Sequence, residues 1–205
     1  MKITLKHVLL RYAGGLFVPS KYTGPGAKPD DKVKFSAKFY IDRDSENMRT
    51  MAAAIHADAK REFGAAAEET LKAIKALGMI WCLVDGDTKE DKHANGKLVV
   101  TAKNSLKPLL VDDVLDPETG KARVLTGTAA EERLYSGCYV NAILDVKVSS
   151  KPQKQSYAYL LGVQYAGIGD RLGGMVAAAD DFEAIPGTEE AKGETVPAEG
   201  AGSLF

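Results

Sequence analysis

The ten residues KVKFSAKFYI, positions 32–41, alternate without a break. Val33, Phe35, Ala37, Phe39 and Ile41 are apolar, and Lys32, Lys34, Ser36, Lys38 and Tyr40 fall between them. A period of two places one set on a core and the other in water, which is the geometry of a half-buried β-strand and not of a helix. The polar face is unusual in kind. It sets three lysines beside an aromatic ring in a chain whose formal net charge is −1. Any fold built on this strand must bury its apolar face and leave a row of positive charge outside.

The same signal recurs along the chain. Residues 2–10 and KLVVTAK (97–103) read as strands. In residues 135–148, Cys138, Val140, Ala142, Leu144 and Val146 point inward and Tyr139, Asn141, Asp145 and Lys147 outward. A further strand, SYAYLLGVQYAG, carries Tyr157 and Tyr159. Helical spacing governs the middle. Asp44 or Ser45 can cap a helix reaching about Phe63, with Met48, Met51, Ala52, Ile55 and Ala59 on one side. A second helical run ends at Gly78. Residues 13–31 are rich in Gly and Pro and predict a long loop with little regular structure. Residues 111–122 hold Pro117 and Gly120 and predict a turn between short strands. Strands, a helical insertion at about 45–78 and more strands predict a mainly β, α+β fold, a small antiparallel barrel or sandwich and not a βαβ series.

Composition sets outer bounds. A chain of 205 residues, 45% hydrophobic, is long enough for a good core. No apolar run approaches the ~20 residues that cross a bilayer. The basic start MKITLKHVLLRYAGG is interrupted by Lys6, His7 and Arg11, so it reads as the first strand of a cytoplasmic protein and not as a signal peptide. Cys82 and Cys138, far apart among bulky residues, read as buried free thiols. Charge is split. From position 176 onward seven acids face one base, Lys192, a balance of −6, while the first 175 residues hold 26 bases and 21 acids, a balance of +5. From about Pro186 the chain is Gly, Glu, Ala and Pro, so one domain over 1–185 and a disordered acidic tail over 186–205 are expected.

Little in the sequence speaks for catalysis, and nothing calls for a cofactor or a metal. His7, His56 and His93 stand in unrelated contexts. DGDTKEDKHANG lacks the sixth-position glycine and twelfth-position glutamate of a calcium loop. Asp112, Asp113 and Asp116 could chelate magnesium in a nuclease, but read as an acidic turn. GIGDRLGG fits neither the P-loop nor the dinucleotide fingerprint. Binding remains. Single-stranded nucleic acid is held by cations that follow the phosphates and by rings on which bases stack. Lys32, Lys34, Lys38 and Tyr40 offer both on one strand, and Tyr139 and Lys147 on another. Lys103, Lys107 and Arg171 are further candidates, and Lys34 and Tyr139 should share one groove. The other readings are a solvated face that protects a sheet edge, and a structural or assembly protein whose lysine face meets protein.

Over residues 135–182 the chain resembles the bacteriophage single-stranded-DNA-binding proteins. The resemblance is carried by YSGCYVN (Tyr135 to Asn141), then Val163 and Gln164, then Leu172, Gly173 and Gly174, and last Asp180, Asp181 and Phe182. TAKNSLKP (101–108) is also similar to the segment that precedes them in that family. The resemblance implies an OB-fold-like five-stranded antiparallel barrel, no catalysis, and a role in covering single strands during phage replication or recombination. It also implies an acidic C-terminal tail, here with Glu194, Glu199 and a closing Phe205, that competes with DNA or docks phage or host replication and recombination proteins. A homo-oligomer is compatible with it, and no membrane partner is implied. Gly137, Gly173 and Gly174 are expected to be structural.

Overall fold

The alternating segments pair into one sheet in the computed structural model, which describes residues 1–24, 27–77, 81–151 and 154–173. Its strands are β1 (Lys2–Arg11), β2 (Phe35–Asp42), β3 (Leu83–Asp85), β4 (Lys97–Asn104), β5 (Leu109–Leu115), β6 (Ala122–Val124), β7 (Tyr139–Ser149) and β8 (Gln155–Gly167). They lie in the order β3-β4-β2-β1-β7-β8-β5-β6. One further pairing joins β4 to β8 in parallel, with Ala102 opposite Ala158, so the path β4-β2-β1-β7-β8 returns on itself.

The mainly β, α+β class agrees with expectation; the strand count does not. There are eight strands and not five, and β8 pairs in parallel with both β4 and β5. For β3 and β6 the physical reason is length, and for β5 (LLVDDVL) it is the lack of regular alternation. β3 and β6 have three residues each, too few for alternation to register. The predicted turn in 111–122 is the β5–β6 hairpin, in which Leu115 faces Ala122.

The helices are α1 (Gly14–Phe17), α2 (Glu46–Phe63), α3 (Ala67–Leu77) and α4 (Gly127–Arg133). α2 starts where Ser45 accepts the Met48 N–H on its side chain, carries Glu46 in its first turn and Lys60 and Arg61 in its last, and ends at Gly64 with φ +56°. Its buried face, Met51, Ala54, Ile55 and Ala59, packs against β1 and β7. Asp58 on that face accepts the Val148 N–H at 2.8 Å and an ion pair from Arg61 at 2.5 Å. Inward residues of the strands, among them Leu5, Leu10, Phe39, Val100, Val140, Leu144 and Leu160, complete the core. Val33 departs from expectation: it precedes β2 and is exposed. Cys82 and Cys138 are buried free thiols, each with its pKa pushed up to about 11, chiefly by burial.

Gly137 shows why YSG and the GDRL segment (169–172) occur together. Its φ is +109°, and a β-carbon there would overlap the Asp170 carbonyl. Tyr135 donates its hydroxyl to the Gly169 carbonyl at 2.9 Å, and the Leu172 N–H donates to the Ser136 carbonyl at 2.7 Å. The two segments are therefore one packed joint.

Candidate nucleic-acid interface

Register brings the cations together. Lys38 on β2 lies between Arg11 of β1 and Thr101 of β4, and Ser36 lies opposite Lys103. Closure of β4 on β8 then sets Tyr157 and Tyr159 beside them. The result is a groove of about 660 Å³ whose lining includes Lys34, Lys38, Lys89, Lys103 and Lys151 with Trp81, Tyr157 and Tyr159. Among the described residues no acidic side chain lines it.

The crowding leaves a mark on Lys38, whose pKa falls below the ordinary lysine value, first through burial and then through the nearby charges of Lys89 and Lys103. Its Nζ lies 4.5 Å from the ring centroid of Tyr12, an exposed residue at φ +59°. Tyr157 and Tyr159 meet edge to face at 5.0 Å, and burial, together with the hydrogen bond to Tyr159, pushes the Tyr157 hydroxyl up to about 12. A second hollow of about 1040 Å³ shares Lys34, Lys103 and Gln155 with the groove and adds Lys21, Tyr22 and Lys32, along with Asp30 and Asp31. Lys103 Nζ lies 5.6 Å from the Tyr22 ring centroid. Residues 20–24, with Asp30 and Asp31, thus form a wall of this site. Ser20 bridges to Lys34 by paired backbone hydrogen bonds of 3.0 and 2.9 Å.

Of the residues singled out in the sequence, Lys34, Lys38 and Lys103 meet in the groove and Lys32 lines the adjoining hollow. Lys147 stands opposite Tyr157 in register, 3.5 Å from Asp145. Lys107 is exposed in the β4–β5 turn. Tyr139 does not share the groove with Lys34; it stacks on His7 at 4.5 Å. Arg171 lies 4.2 Å from the ring centroid of Tyr135. Tyr40 is a correction. It is only 4% exposed, because the 85–96 segment folds over it, and its hydroxyl donates to Asp91 at 2.8 Å. Glu194, Glu199 and Phe205 lie outside the described residues.

Sequence reasoning missed Trp81, Lys89, Lys151, Tyr12 and Tyr22 as lining or flanking residues. Tyr157 and Tyr159 carried a signal, since strand alternation turns both to one face. The others lie in loops or at strand ends, where no period marks a direction.

The two acidic segments are occupied internally. In 85–96, Arg43 grips Asp85 at 2.5 Å and Asp87 at 2.7 Å. Burial opposes ionisation of Asp91, but hydrogen bonds from Arg11, Tyr40 and the His93 N–H hold its pKa below the usual carboxylate value. At the β5–β6 corner, buried Asp112 is clamped by Arg123 and by Arg133 at 2.9 Å, and Arg133 also reaches Asp113 at 2.7 Å. Burial again opposes ionisation, and the two guanidinium groups overcome it and hold the Asp112 carboxyl well below its ordinary range. Asp116 accepts N–H bonds from Glu118 and Thr119 in the hairpin turn. Among the described residues no group of three or more His, Cys, Asp or Glu is arranged to hold a metal ion. None of the helices among the described residues is long and apolar enough to cross a membrane.

Comparison with solved structures defines the class of fold first. The chain superposes on the single-stranded DNA-binding protein from bacteriophage Enc34, determined in complex with ssDNA, with a TM-score of 0.63 at 19% identity, covering 84% of this chain and 89% of that one. A C-terminal truncation of the same protein gives 0.60 at 18% identity, over 83% and 88%. In sequence, the chain is 32% identical over 193 residues to protein p50 of Acyrthosiphon pisum secondary endosymbiont phage 1, covering 93% of this chain and 97% of p50. The family model described as Enterobacter phage Enc34, ssDNA-binding protein, matches residues 1–196, and the chain belongs to that family.

Proposed function

We propose that this protein binds single-stranded DNA without reading its sequence, along the groove over the β4–β8 closure. The observation that carries the reading is a wall that, among the described residues, holds five lysines and no acid, interleaved with Trp81, Tyr157 and Tyr159. Lysines compensate the phosphates, and each ring can stack a base for about 1–3 kcal/mol. The contacts are Lys34, Lys38 and Lys103, with Lys89, Lys151 and the three rings. The hollow beside Tyr22 and Lys32 extends the path. Membership of the Enc34 family supports the same ligand.

The path β4-β2-β1-β7-β8, which the Ala102–Ala158 pair joins end to end, supports reading this part of the eight-stranded sheet as an OB-type barrel. In this reading the protein is non-catalytic and covers single strands during phage DNA replication and recombination in the host cytoplasm. The acidic residues after position 176 serve to compete with DNA for cations or to dock partner proteins, on the ground of their −6 balance.

The test is an anisotropy titration of labelled oligo-dT with the full chain at two salt concentrations. Affinity should fall with salt, and if all five lysines engage, the slope of log K against log salt is about −3.5. Absence of binding at low salt overturns the reading and favours a protein-facing role for the lysine face. A chain ending at residue 185 should bind more tightly if the acidic segment competes.

A further inference from the structure

Lys89 belongs to none of the strands, and acids surround it in sequence, with Asp87, Glu90 and Asp91 as near neighbours. It nevertheless lines the groove with Lys38 and Lys103, and none of those acids does. Hydrogen bonding explains the segregation. Asp91 Oδ2 accepts from Arg11 Nε at 2.7 Å and from the Tyr40 hydroxyl at 2.8 Å, and its Oδ1 accepts the His93 N–H at 3.1 Å. Asp87 is held by Arg43 at 2.7 Å and by the Gly96 N–H at 2.6 Å. The Lys89 N–H itself donates to the Gly86 carbonyl at 2.9 Å. Gly86 in turn lies so close to the Ala94 carbonyl that a β-carbon would overlap it. Both flanks of Lys89 are therefore fixed, and the carboxylates of Asp87 and Asp91 are occupied away from the groove.

We propose that Lys38, Lys89 and Lys103, from three separate segments, form a phosphate-holding subsite within the groove, and that Asp91 is the positioning residue that sets Lys89 into it. The inference rests on the single-stranded DNA reading above and adds to it a place and a mechanism. The ligand is one phosphodiester of the strand backbone. The depressed proton affinity of Lys38 agrees with this, since a phosphate would relieve a charge now crowded by burial and by two neighbouring cations.

The experiment is an anisotropy titration of fluorescein-labelled oligo-dT with the full chain, from about 50 to about 200 mM salt, for wild type, Lys89→Gln, Asp91→Asn and the double variant. Lys72→Gln, on the exposed side of α3, serves as the comparison. Lys89→Gln should flatten the salt slope by about 0.7 and weaken binding about threefold at low salt. Asp91→Asn is the sharper arm, because removing a negative charge near a basic groove should tighten binding if charge alone matters. Positioning predicts the opposite sign, a weakening with the same flattened slope, and no further loss in the double variant beyond Lys89→Gln. Tyr40→Phe removes only one of the bonds to Asp91 and should give a smaller loss in the same direction, which covers the case of a poorly folded Asp91→Asn. A wild-type slope in Lys89→Gln, a tighter Asp91→Asn, or additive losses in the double variant would overturn the proposal. A wild-type chain that shows no salt-sensitive binding overturns the underlying reading, and the subsite with it.

Discussion

Two corners of the molecule contain clustered cations and use them in opposite ways. At the β5–β6 corner, Arg123 and Arg133 close on Asp112, and Arg133 also takes Asp113 and lies 3.7 Å from the ring centroid of Tyr165. In the β4–β8 groove, five lysines share a wall that holds no acid among the described residues. Charge count does not separate the two places; pairing does. A guanidinium that already holds a carboxylate has its charge compensated and gains less from a phosphate, whereas lysines held together without a carboxylate partner raise their own electrostatic energy until an anion arrives.

The largest effect that sharpens this contrast is at the paired corner. Asp112→Ala should cost about 2–3 kcal/mol of stability, because it removes a buried carboxylate and strands its arginines, while DNA affinity of the folded protein stays near wild type. Urea unfolding and anisotropy measure the two halves. The pH dependence has a definite sign. A carboxyl whose folded pKa is depressed lends stability that is complete above its unfolded value of about 4 and is lost as pH falls toward the folded value. Unfolding free energy should therefore drop with acid below about pH 4, less steeply in Asp112→Asn. Next in size is Tyr159→Ala, expected to cost about 1–2 kcal/mol of DNA binding with an unchanged salt slope, since a lost ring removes stacking and no charge. Lys38→Gln should cost about 1 kcal/mol at low salt, flatten the slope by about 0.7, and leave stability unchanged or slightly raised, because it removes repulsion. The smallest effect is Tyr139→Ala, below about 0.5 kcal/mol in affinity; a larger loss would break the comparison by placing DNA over the His7 stack as well.

How much of this was legible follows from how each element announces itself. β2 and β7 alternate over many residues, so their inward sets, Ala37, Phe39 and Ile41 or Val140, Ala142, Leu144 and Val146, could be read before any pairing was known. The capped helix from Ser45 was equally plain. Lys34, Lys38 and Lys103 were legible as outward cations because period two fixes direction. Tyr40 was misread for a reason alternation cannot express: an outward side chain is exposed only if nothing folds over that face, and the 85–96 segment does. Lys89, Tyr12 and Tyr22 come from irregular backbone, and their place in the site depends on long-range contacts such as Asp91 with Arg11, 80 residues apart in sequence. β3 and β6 were too short to show alternation, and β5, LLVDDVL, has the length but no regular alternation of apolar and polar residues.

The parallel join of β4 to β8 has a consequence for time. β8 closes the ring and also brings Tyr157 and Tyr159, and it is the last strand of the chain among the described residues. A nascent chain that has emerged only through β7 already displays Lys34, Lys38, Lys89 and Lys103, yet it has no second wall and no stacking pair. Pairings between residues so distant in sequence form late, after the local helices and hairpins. Capacity to hold a strand should therefore appear in one step near the end of synthesis, and a half-made chain on the ribosome would not compete for the nucleic acid around it.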